Sequence, residues 1–408
     1  MSLNDTPSSE RLHIGIFGRR NAGKSSLLNA ITGQDLAIVS KIKGTTTDPV
    51  NKSMELLPLG PVVFTDTPGL DDEGDMGELR VKKSYQVLNK TDIGLLVADG
   101  DLLRNRERNF EVTEKPLLEE FVKREIPYLI IINKEELLTE EDRNELLRIT
   151  GQPEKTVFVS AANRTNIEEL KKRIAQLNPG EQAAGKLVGD LLLPGDLAVL
   201  VVPIDAAAPK GRLILPQQQV IRDCLEAGAV PVVTRETELN GALRALGKKP
   251  KLVITDSQVF DQVNRIVPKE IFLTSFSILL ARYKGNLKSQ VQGARAIDRL
   301  GDGDRVLIAE SCTHHRQCGD IGTEKLPKWL KEHTKKNLDL TFSRGTEFPE
   351  DLSGYALVIH CGGCMINERE MRFRLKCAQD AGVPMTNYGV SIAHMHGILE
   401  RAIEVFHL

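Results

Sequence analysis

The chain has 408 residues, which at about 100 to 200 residues per domain predicts two to four domains. Lysine and arginine together number 54 and aspartate and glutamate 56, so the formal net charge is −2; with 41% hydrophobic and 27% charged residues the composition is that of a globular protein. Extensive disorder is excluded. A nucleic acid is not expected as a partner, because no net positive charge would attract one.

Neither a membrane span nor a secretory signal is visible. The longest apolar runs, such as 128–132 and 197–203, are much shorter than the roughly 20 residues of a spanning helix. The first ten residues are polar, without the basic and apolar regions of a signal peptide. We therefore expect a cytoplasmic protein with no membrane partner, and in a reducing compartment clustered cysteines indicate a metal site or catalysis.

Five short apolar runs in the first 180 residues are predicted to be strands, with amphipathic helices between or after them. The predicted strands are 12–17, 62–65, 93–97, 128–132 and 157–159, and the predicted helices are 24–32, 76–89, 112–123, 140–148 and 167–177. This alternation predicts an α/β fold with a mostly parallel sheet and helices on both faces. A linker near residue 185 follows Asn178-Pro179-Gly180.

The remaining chain repeats this alternation in two further α/β stretches. The second stretch has predicted strands 198–202, 231–233 and 252–255 and helices 217–227, 239–246 and 257–263. The third has predicted strands 305–309, 356–359 and 384–386 and helices 326–335, 368–381 and 391–406. We expect domains at 1–180, 186–272 and 273–408, with the middle one a packing or self-association module.

A glycine-rich loop follows the first predicted strand and leads into a helix. It matches the pattern G-x4-G-K-S, whose backbone N–H groups cradle phosphates, with Lys24 reaching the β and γ phosphates and Ser25 holding Mg²⁺. The candidate phosphate-binding residues are Gly18, Asn21, Ala22, Gly23, Lys24, Ser25 and Ser26. Arg19 and Arg20 are either solvated or in contact with the nucleotide.

Three further motifs end predicted strands, in an order that resembles the Ras-like GTPase superfamily over about residues 10–178. Asp66-Thr67-Pro68-Gly69 could place Asp66 near Mg²⁺ and the Gly69 N–H near the γ phosphate. The resemblance implies that GTP is bound and that its base is read by Asn133, Lys134, Glu136, Ser160 and Ala161. Glu136 replaces the family's aspartate, and we still expect GTP to be preferred over ATP.

Residues 21–27 and the segment Gly44-Thr45-Thr46-Thr47-Asp48 resemble the TrmE and Era group of that superfamily. The resemblance implies that Thr46 closes on Mg²⁺ and that Asn21 could ligate K⁺. Thr47 replaces the usual arginine of this segment. Leu70 stands where Ras has the glutamine that orients the attacking water, so slow turnover of GTP or cation-assisted hydrolysis is expected. The predicted catalytic residues are Lys24, Thr46, Asp66 and Gly69.

Cysteine and histidine follow two strands of the third stretch. Cys312-Thr313-His314 comes after strand 305–309, and His360-Cys361-Gly362-Gly363-Cys364 comes after strand 356–359. Because ligands collect at the carboxyl ends of parallel strands, the two loops would share one crevice if the strands are neighbours. Three cysteines with an ambiguous fourth ligand favour an iron–sulfur cluster; structural zinc and idle thiols remain alternatives.

In this chain a TrmE-like G domain is followed by the order C-x-H, 45 residues and then H-C-x-x-C. This order resembles the HydF family of FeFe-hydrogenase maturation GTPases, and the resemblance covers essentially the whole chain. The resemblance implies that Cys312, Cys361 and Cys364 bind a four-iron, four-sulfur (4Fe-4S) cluster with an exchangeable iron. His314, His360 and Asp320 are candidates for the fourth ligand or for hydrogen bonds that orient a cysteine loop. The middle stretch would be a dimerisation domain, giving a homodimer.

The sequence thus predicts a GTP-hydrolysing scaffold that receives a diiron precursor from radical-SAM maturation enzymes and delivers it to the FeFe-hydrogenase apoprotein. The alternative is an RNA- or ribosome-associated TrmE/Era-like GTPase with structural zinc, which the charge of −2 and the 4% aromatic content disfavour. His394 and His396, two residues apart on a predicted helix, are interpreted as surface or core histidines. Cys224 and Cys377 are interpreted as buried hydrophobes.

Overall fold

A computed structural model describes residues 6–33, 49–69, 83–105, 109–177, 186–204, 213–311, 320–345 and 347–408. The chain divides into two compact units, Met1–Ala183 and Ala184–Leu408, called here the N-terminal and C-terminal units. No helix in these described ranges combines the length and the apolar character needed to cross a membrane.

A six-stranded sheet forms the centre of the N-terminal unit, in the order β2-β3-β1-β4-β5-β6. Only β2 runs antiparallel to its neighbour, and the other pairs are parallel. The strands are β1 Leu12–Gly18, β2 Val50–Leu56, β3 Gly60–Asp66, β4 Ile93–Asp99, β5 Tyr128–Asn133 and β6 Thr156–Val159. The carboxyl ends of the five parallel strands therefore meet at one edge, where the predicted nucleotide motifs lie.

Helices cover both faces of this sheet because its central strands are buried on both sides. They are α1 Lys24–Thr32, α2 Gly100–Arg104, α3 Phe110–Lys123, α4 Glu140–Thr150 and α5 Ile167–Gln176, and residues 83–88 are also helical. On one face Leu27 and Ile31 of α1 pack with Leu170 and Ile174 of α5. On the other face α3 contributes Phe121, whose ring meets Phe17 edge-on at 5.5 Å between centroids.

The C-terminal unit contains two parallel four-stranded sheets, in the orders β10-β9-β7-β8 and β12-β11-β13-β14. The first sheet has β7 Leu197–Val201, β8 Val230–Thr234, β9 Leu252–Thr255 and β10 Phe272–Ser275. The second has β11 Arg305–Glu310, β12 Asp339–Arg344, β13 Leu357–His360 and β14 Met385–Asn387. Since β11 and β13 are hydrogen-bonded neighbours, the two predicted cysteine loops follow adjacent strands.

Helices of the C-terminal unit connect the two sheets through a shared core. They are α6 Leu215–Glu226, α7 Leu239–Ala245, α8 Phe260–Ile266, α9 Phe276–Lys284, α10 Leu287–Arg295, α11 Leu326–Thr334, α12 Glu368–Asp380, α13 Tyr388–Met395 and α14 Leu399–Ile403. Val199 and Val253 of the first sheet pack in one cluster with Val291 of α10 and Val390 of α13. This common core explains why residues 184–408 form a single compact unit.

The structure differs from the predicted elements at several places. The predicted boundary between residues 272 and 273 falls inside β10, which pairs with β9 in the first C-terminal sheet. The predicted helix 391–406 begins earlier, at Tyr388, ends at Met395 and is followed after a turn at Gly397 by the separate helix α14. Strands β2 and β12 were not predicted, because both are edge strands with many polar residues and lack a continuous apolar run.

Candidate functional site

The glycine-rich loop lies between the end of β1 at Gly18 and the start of α1 at Lys24. The buried Lys24 ammonium donates to the carbonyl oxygens of Gly18 at 2.9 Å and Arg19 at 2.8 Å. Gly23 has φ +91, and a Cβ there would lie 2.1 Å from the Asn133 side chain. The second glycine of the motif is therefore required both by its backbone conformation and by the close approach of Asn133.

Ser25 and Asp66 come together at the carboxyl ends of β1 and β3. The Ser25 hydroxyl donates to Asp66 Oδ2 at 2.5 Å, whereas the buried Asp66 Oδ1 has no hydrogen-bond partner among the residues that the structure describes. Burial raises the pKa of Asp66, although the Ser25 hydrogen bond and the nearby charges of Lys24 and Lys52 oppose this. Paired hydroxyl and carboxylate oxygens of this kind fit a Mg²⁺ ion, which would compensate the buried charge.

Asn133 connects the glycine-rich loop to the predicted base-reading loops. Its side chain donates from Nδ2 to the Ala22 carbonyl at 3.0 Å and accepts at Oδ1 from the Ala161 N–H at 3.1 Å. Lys134 pairs with Asp99 at 2.5 Å. Three of the predicted nucleotide motifs are thus held in one hydrogen-bonded arrangement at the same sheet edge.

The two glutamates of the fourth motif differ in their surroundings. Glu135 is buried and accepts from Asn166 Nδ2 at 2.8 Å, which joins this turn to the loop after β6. Glu136 is exposed on the same turn. Its carboxylate is therefore accessible to a base, whereas that of Glu135 holds the loop together.

Arg19 is fixed to α3 by a buried ion pair. Its guanidinium donates to both carboxylate oxygens of Glu114, at 2.8 and 2.9 Å, and to the Asn109 carbonyl at 2.6 Å. Glu114 is 2% exposed. The Arg19 side chain is therefore not solvated, and its guanidinium is not free, because it anchors the loop to α3.

Thr46, the rest of the segment 44–48 and Leu70 lie outside the described residues.

In the C-terminal unit, Cys361 lies beside the residue that precedes Cys312. The N–H of Ser311 donates to Cys361 Sγ at 3.1 Å, and the Ser311 hydroxyl lies 3.1 Å from the same sulfur. The Cys361 N–H donates to the Ala309 carbonyl of β11 at 2.8 Å. Cys312, His314 and Cys318 themselves lie outside the described residues.

Cys361 and Cys364 have different acidities. Burial by itself raises the pKa of the Cys361 thiol, but the His360 ring and the hydrogen bonds with Ser311 lower it to about 6. Burial and the neighbouring Cys361 raise the pKa of Cys364, and Lys284 partly opposes this shift. By contrast, burial raises the pKa of Cys224 to about 12. Cys361 is therefore the thiol that is prepared to act as a thiolate ligand at neutral pH.

His360 uses both ring nitrogens within the protein. Nδ1 lies 2.7 Å from the Cys361 carbonyl oxygen, and Nε2 lies 2.9 Å from Nη1 of Arg374, a buried residue of α12. His360 is 1% exposed. The ring is thus positioned to hold the start of the Cys361 loop.

Lys284, at the end of α9, holds the turn between the two thiols. Its ammonium is 2% exposed and donates to the carbonyl oxygens of Gly363 at 2.9 Å and Ile366 at 2.8 Å. Gly363 has φ +67, and a Cβ there would lie 2.3 Å from Met371 Cε. A side chain at position 363 would therefore collide with Met371, so the turn between the two thiols is closely packed.

Asp320 follows the segment 312–319 and begins a π-helical turn, Ile321–Lys325. Its Oδ1 accepts from both the N–H and the hydroxyl of Thr323, each at 2.8 Å. Tyr388 lies nearby, with its hydroxyl 3.4 Å from Glu310 Oε1. Burial and the surrounding Cys361, Glu310 and Asp320 raise the pKa of Tyr388, so its hydroxyl remains protonated beside the cysteine site.

Three family models match successive parts of the chain. A 50S ribosome-binding GTPase model matches residues 13–134, a hydrogen maturase F dimerization domain matches 187–285, and a hydrogen maturase F tetramerization domain matches 288–405. The two hydrogen maturase F domains together span more than half of the chain. The chain belongs to the hydrogen maturase F family.

The curated relatives match the N-terminal part only. A tRNA modification GTPase, MnmE, of Legionella pneumophila strain Paris is 36% identical over 170 residues, 41% of this chain and 35% of that protein. The GTPB3 subunit of a mitochondrial 5-taurinomethyluridine tRNA synthase from Danio rerio is 33% identical over 180 residues, 41% of this chain and 36% of that protein. The chain thus spans about a third of the length of these relatives.

Among solved structures, the FeoB G-domain of Methanococcus jannaschii has 27% identity and a TM-score of 0.31, and the match covers 41% of this chain and 97% of that one.

The two hydrogen maturase F domain models confirm the family that the sequence predicted. The predicted α/β fold, with a Ras-like P-loop G domain followed by further α/β domains, is also confirmed. The two hydrogen maturase F domains meet between residues 285 and 288, beyond β10 and α9.

Sequence reasoning missed the residues that support the cysteine loops. Lys284 lies on α9, Arg374 lies on α12 and Ser311 directly follows β11, and none of the three belongs to a motif. The one available signal was Lys284, a cation that ends the apolar helix Phe276–Lys284. In the sequence Arg374 is one of several arginines of an amphipathic helix, and only the tertiary structure shows that it is buried.

Proposed function

We propose that this hydrogen maturase F chain is a GTP-hydrolysing scaffold that carries an iron–sulfur cluster and delivers a diiron precursor to apo FeFe-hydrogenase. The main support is the placement of Cys361, a thiol of lowered pKa, against Ser311, whose next residue is Cys312. Two cysteine loops that are far apart in sequence thereby leave adjacent strands. Membership of the family agrees with this assignment.

In the G domain, Lys24 would bind the β and γ phosphates and the Gly69 N–H the γ phosphate. Ser25 and Asp66 would hold Mg²⁺, with Thr46 as a further ligand in the triphosphate state. Asn133, Lys134 and Glu136 would bind the guanine, together with the Ser160-Ala161 loop. Asn21 is exposed and has a backbone φ of +63, and it would hold an activating K⁺ ion. The ions held by these residues would supply positive charge at the γ phosphate, and the Lys24 ammonium would add to it when water attacks to give GDP and phosphate.

In the C-terminal unit, Cys312, Cys361 and Cys364 would hold the 4Fe-4S cluster. A cluster with three thiolate ligands supplies one iron to which another group can attach and from which it can leave. The donor set fits this role, because one thiol is already acidic and the turn between Cys361 and Cys364 is held in place by Lys284. We assign His360 and Lys284 to hold the loop, and we propose Asp320 or His314 as candidates for a fourth ligand.

The diiron precursor is then the cargo of the scaffold. Radical-SAM maturation enzymes would supply it and the FeFe-hydrogenase apoprotein would accept it, with the middle domain joining two copies of the chain. A colourless protein with stoichiometric zinc would instead support an RNA- or ribosome-associated GTPase.

Paired variants test this division of labour. Lys24→Ala should abolish GTP hydrolysis while leaving iron content unchanged. Cys361→Ser should remove the iron and the ability to activate apo-hydrogenase, while GTP turnover persists. Loss of iron in Lys24→Ala, or activation of apo-hydrogenase by Cys361→Ser, would contradict the proposal.

A further inference from the structure

Two histidines and an aspartate from three different elements meet on the surface of the C-terminal unit. Asp298 lies in the 3₁₀ turn Ala296–Arg299, His333 in the last turn of α11 and His394 in the last turn of α13. His333 Nε2 lies 2.8 Å from Asp298 Oδ1, and His394 Nε2 lies 3.0 Å from Asp298 Oδ2. We call these residues the Asp298 cluster; it shares no residue with the cysteine site.

The three side chains are arranged as ligands of a single ion would be. One ligand atom from each lies within 4.8 Å of the others. Each histidine uses the same nitrogen, Nε2, and approaches a different oxygen of the carboxylate. The ring centroids of His333 and His394 are 5.6 Å apart and the rings are tilted by 55°, so the two nitrogens converge without stacking of the rings.

Solvent has access to this cluster. The Asp298 side chain is 52% exposed, and those of His333 and His394 are 28% and 15% exposed. An ion can therefore enter from solution without local unfolding, while the histidines remain held by their helices. In an exposed position a histidine–aspartate pair by itself contributes little stability.

The donor set selects the class of metal. Two imidazole nitrogens and one carboxylate oxygen suit Zn²⁺ and its first-row neighbours, whereas Mg²⁺ and Ca²⁺ prefer oxygen ligands alone. Ligands of a tetrahedral Zn²⁺ lie about 3.3 to 3.6 Å apart when the bonds are about 2.0 to 2.2 Å long. The distances of 2.8 and 3.0 Å from the two Nε2 atoms to the two carboxylate oxygens would widen by roughly 0.3 to 0.8 Å on binding an ion.

We propose that Asp298, His333 and His394 form a second metal site, which binds one first-row transition-metal dication such as Zn²⁺ and leaves at least one coordination position open. The ion would join the 3₁₀ turn before β11 to helices α11 and α13. The open position would accept water or a ligand from another protein. This proposal departs from the interpretation of His394 as a surface or core histidine.

His396 provides the matched control. It lies two residues from His394, and its ring packs edge-on against Trp329 at 5.5 Å between centroids. It does not belong to the Asp298 cluster. His396→Ala therefore removes a neighbouring imidazole but none of the proposed ligands.

The test is equilibrium dialysis of the anaerobically prepared full-length protein against micromolar Zn²⁺, with bound metal counted by mass spectrometry. All variants retain the same cysteines, so any zinc held by thiols is common to them and cancels. Asp298→Asn, which keeps a hydrogen-bonding side chain of the same size, and His394→Ala should each bind one zinc fewer per chain than the wild type. His396→Ala should bind as much as the wild type.

A second measurement separates ligand loss from misfolding. Without added metal, Asp298→Asn should melt close to the wild-type temperature, and Zn²⁺ should raise the melting temperature of the wild type more than that of the variant. Crystals soaked in Zn²⁺ should show an anomalous peak within bonding distance of both Nε2 atoms. Equal zinc content in wild type and Asp298→Asn, loss of the same zinc in His396→Ala, or saturation only at millimolar Zn²⁺ would overturn the proposal.

Discussion

The backbone N–H of Ser311 donates to the sulfur of Cys361 at 3.1 Å, and this bond joins the end of β11 to the turn that follows β13. The two residues are 50 positions apart in the chain. Their proximity follows from the parallel pairing of β11 with β13, in which Ala309 lies opposite His360. The position of one cysteine loop is thus set by the strand that leads into the other.

The acidity of Cys361 predicts a pH profile in the cluster-free protein. Its pKa of about 6 lies below the usual value of 9.0, so alkylation of Cys361 should follow a midpoint near pH 6, whereas Cys364, whose pKa is raised, should react only at alkaline pH. Because the pKa of Cys361 is lower in the folded protein than in the unfolded chain, ionisation of this thiol stabilises the folded state. This stabilisation is fully present above pH 9 and is lost as the pH falls through about 6. Mass spectrometry of alkylated peptides measures both profiles. Coincident profiles for the two thiols would contradict the assignment, and Ser311→Ala should move the Cys361 midpoint upward.

Replacing Lys284 by methionine should loosen the turn between the thiols. The variant keeps the length of the buried side chain but leaves the carbonyls of Gly363 and Ile366 without their donor. We expect the free energy of unfolding of the C-terminal unit to fall by roughly 1 to 3 kcal/mol, and iron to be lost more readily to a chelator. Denaturant titration and iron-release kinetics measure these effects. The exposed Lys288→Met is the control, and equal behaviour of the two variants would argue against a role for Lys284 in holding the turn.

Breaking the buried pair between Arg19 and Glu114 should affect the nucleotide loop. Glu114→Ala leaves the partly buried Arg19 guanidinium with the Asn109 carbonyl as its remaining acceptor. Breaking a fully buried pair costs about 3 to 5 kcal/mol, which is the upper bound for the loss of stability here. We expect a lower melting temperature of the G domain and weaker GTP binding, because the loop loses its anchor on α3. Calorimetry and nucleotide titration measure both, with the exposed Glu119→Ala as control. Wild-type GTP affinity in Glu114→Ala would show that the pair does not position the loop.

Selectivity for guanine should depend on Glu136 rather than on its buried neighbour. Glu136→Ala should reduce the ratio of GTP to ATP affinity by roughly tenfold to a hundredfold, since hydrogen bonds to a charged group contribute about 1.5 to 3 kcal/mol. Competition binding measures this ratio. Glu136→Asp should retain it, and the exposed Glu140→Ala should leave it unchanged. An unaltered ratio in Glu136→Ala would mean that another residue reads the base.

The sequence predicted the central strands, because strands such as β4 and β5 are continuous apolar runs. It predicted most of the helices that cover them, but not α2, α9 or α10. The edge strands β2 and β12 were missed for the opposite reason, since exposed polar residues such as Asn51 and Ser53 interrupt the apolar pattern there. The nucleotide motifs were predictable because phosphate chemistry fixes both residue type and spacing.

The supporting residues around Cys361 could not be predicted in the same way. Lys284, Ser311 and Arg374 act through carbonyls, a thiol and a histidine that are distant in sequence, so no local spacing records their roles. The Asp298 cluster is a similar case. Its members come from a 3₁₀ turn and two helices, and only the packing of α11 and α13 brings them together.

Metal analysis of the anaerobically isolated protein, with cysteines removed one at a time, tests the central claim most directly. We predict about four irons and four sulfides per chain in the wild type, loss of both in Cys312→Ser, Cys361→Ser and Cys364→Ser, and retention in Cys377→Ser and Cys224→Ser. Zinc in place of iron, or iron that survives the Cys361→Ser change, would contradict the account.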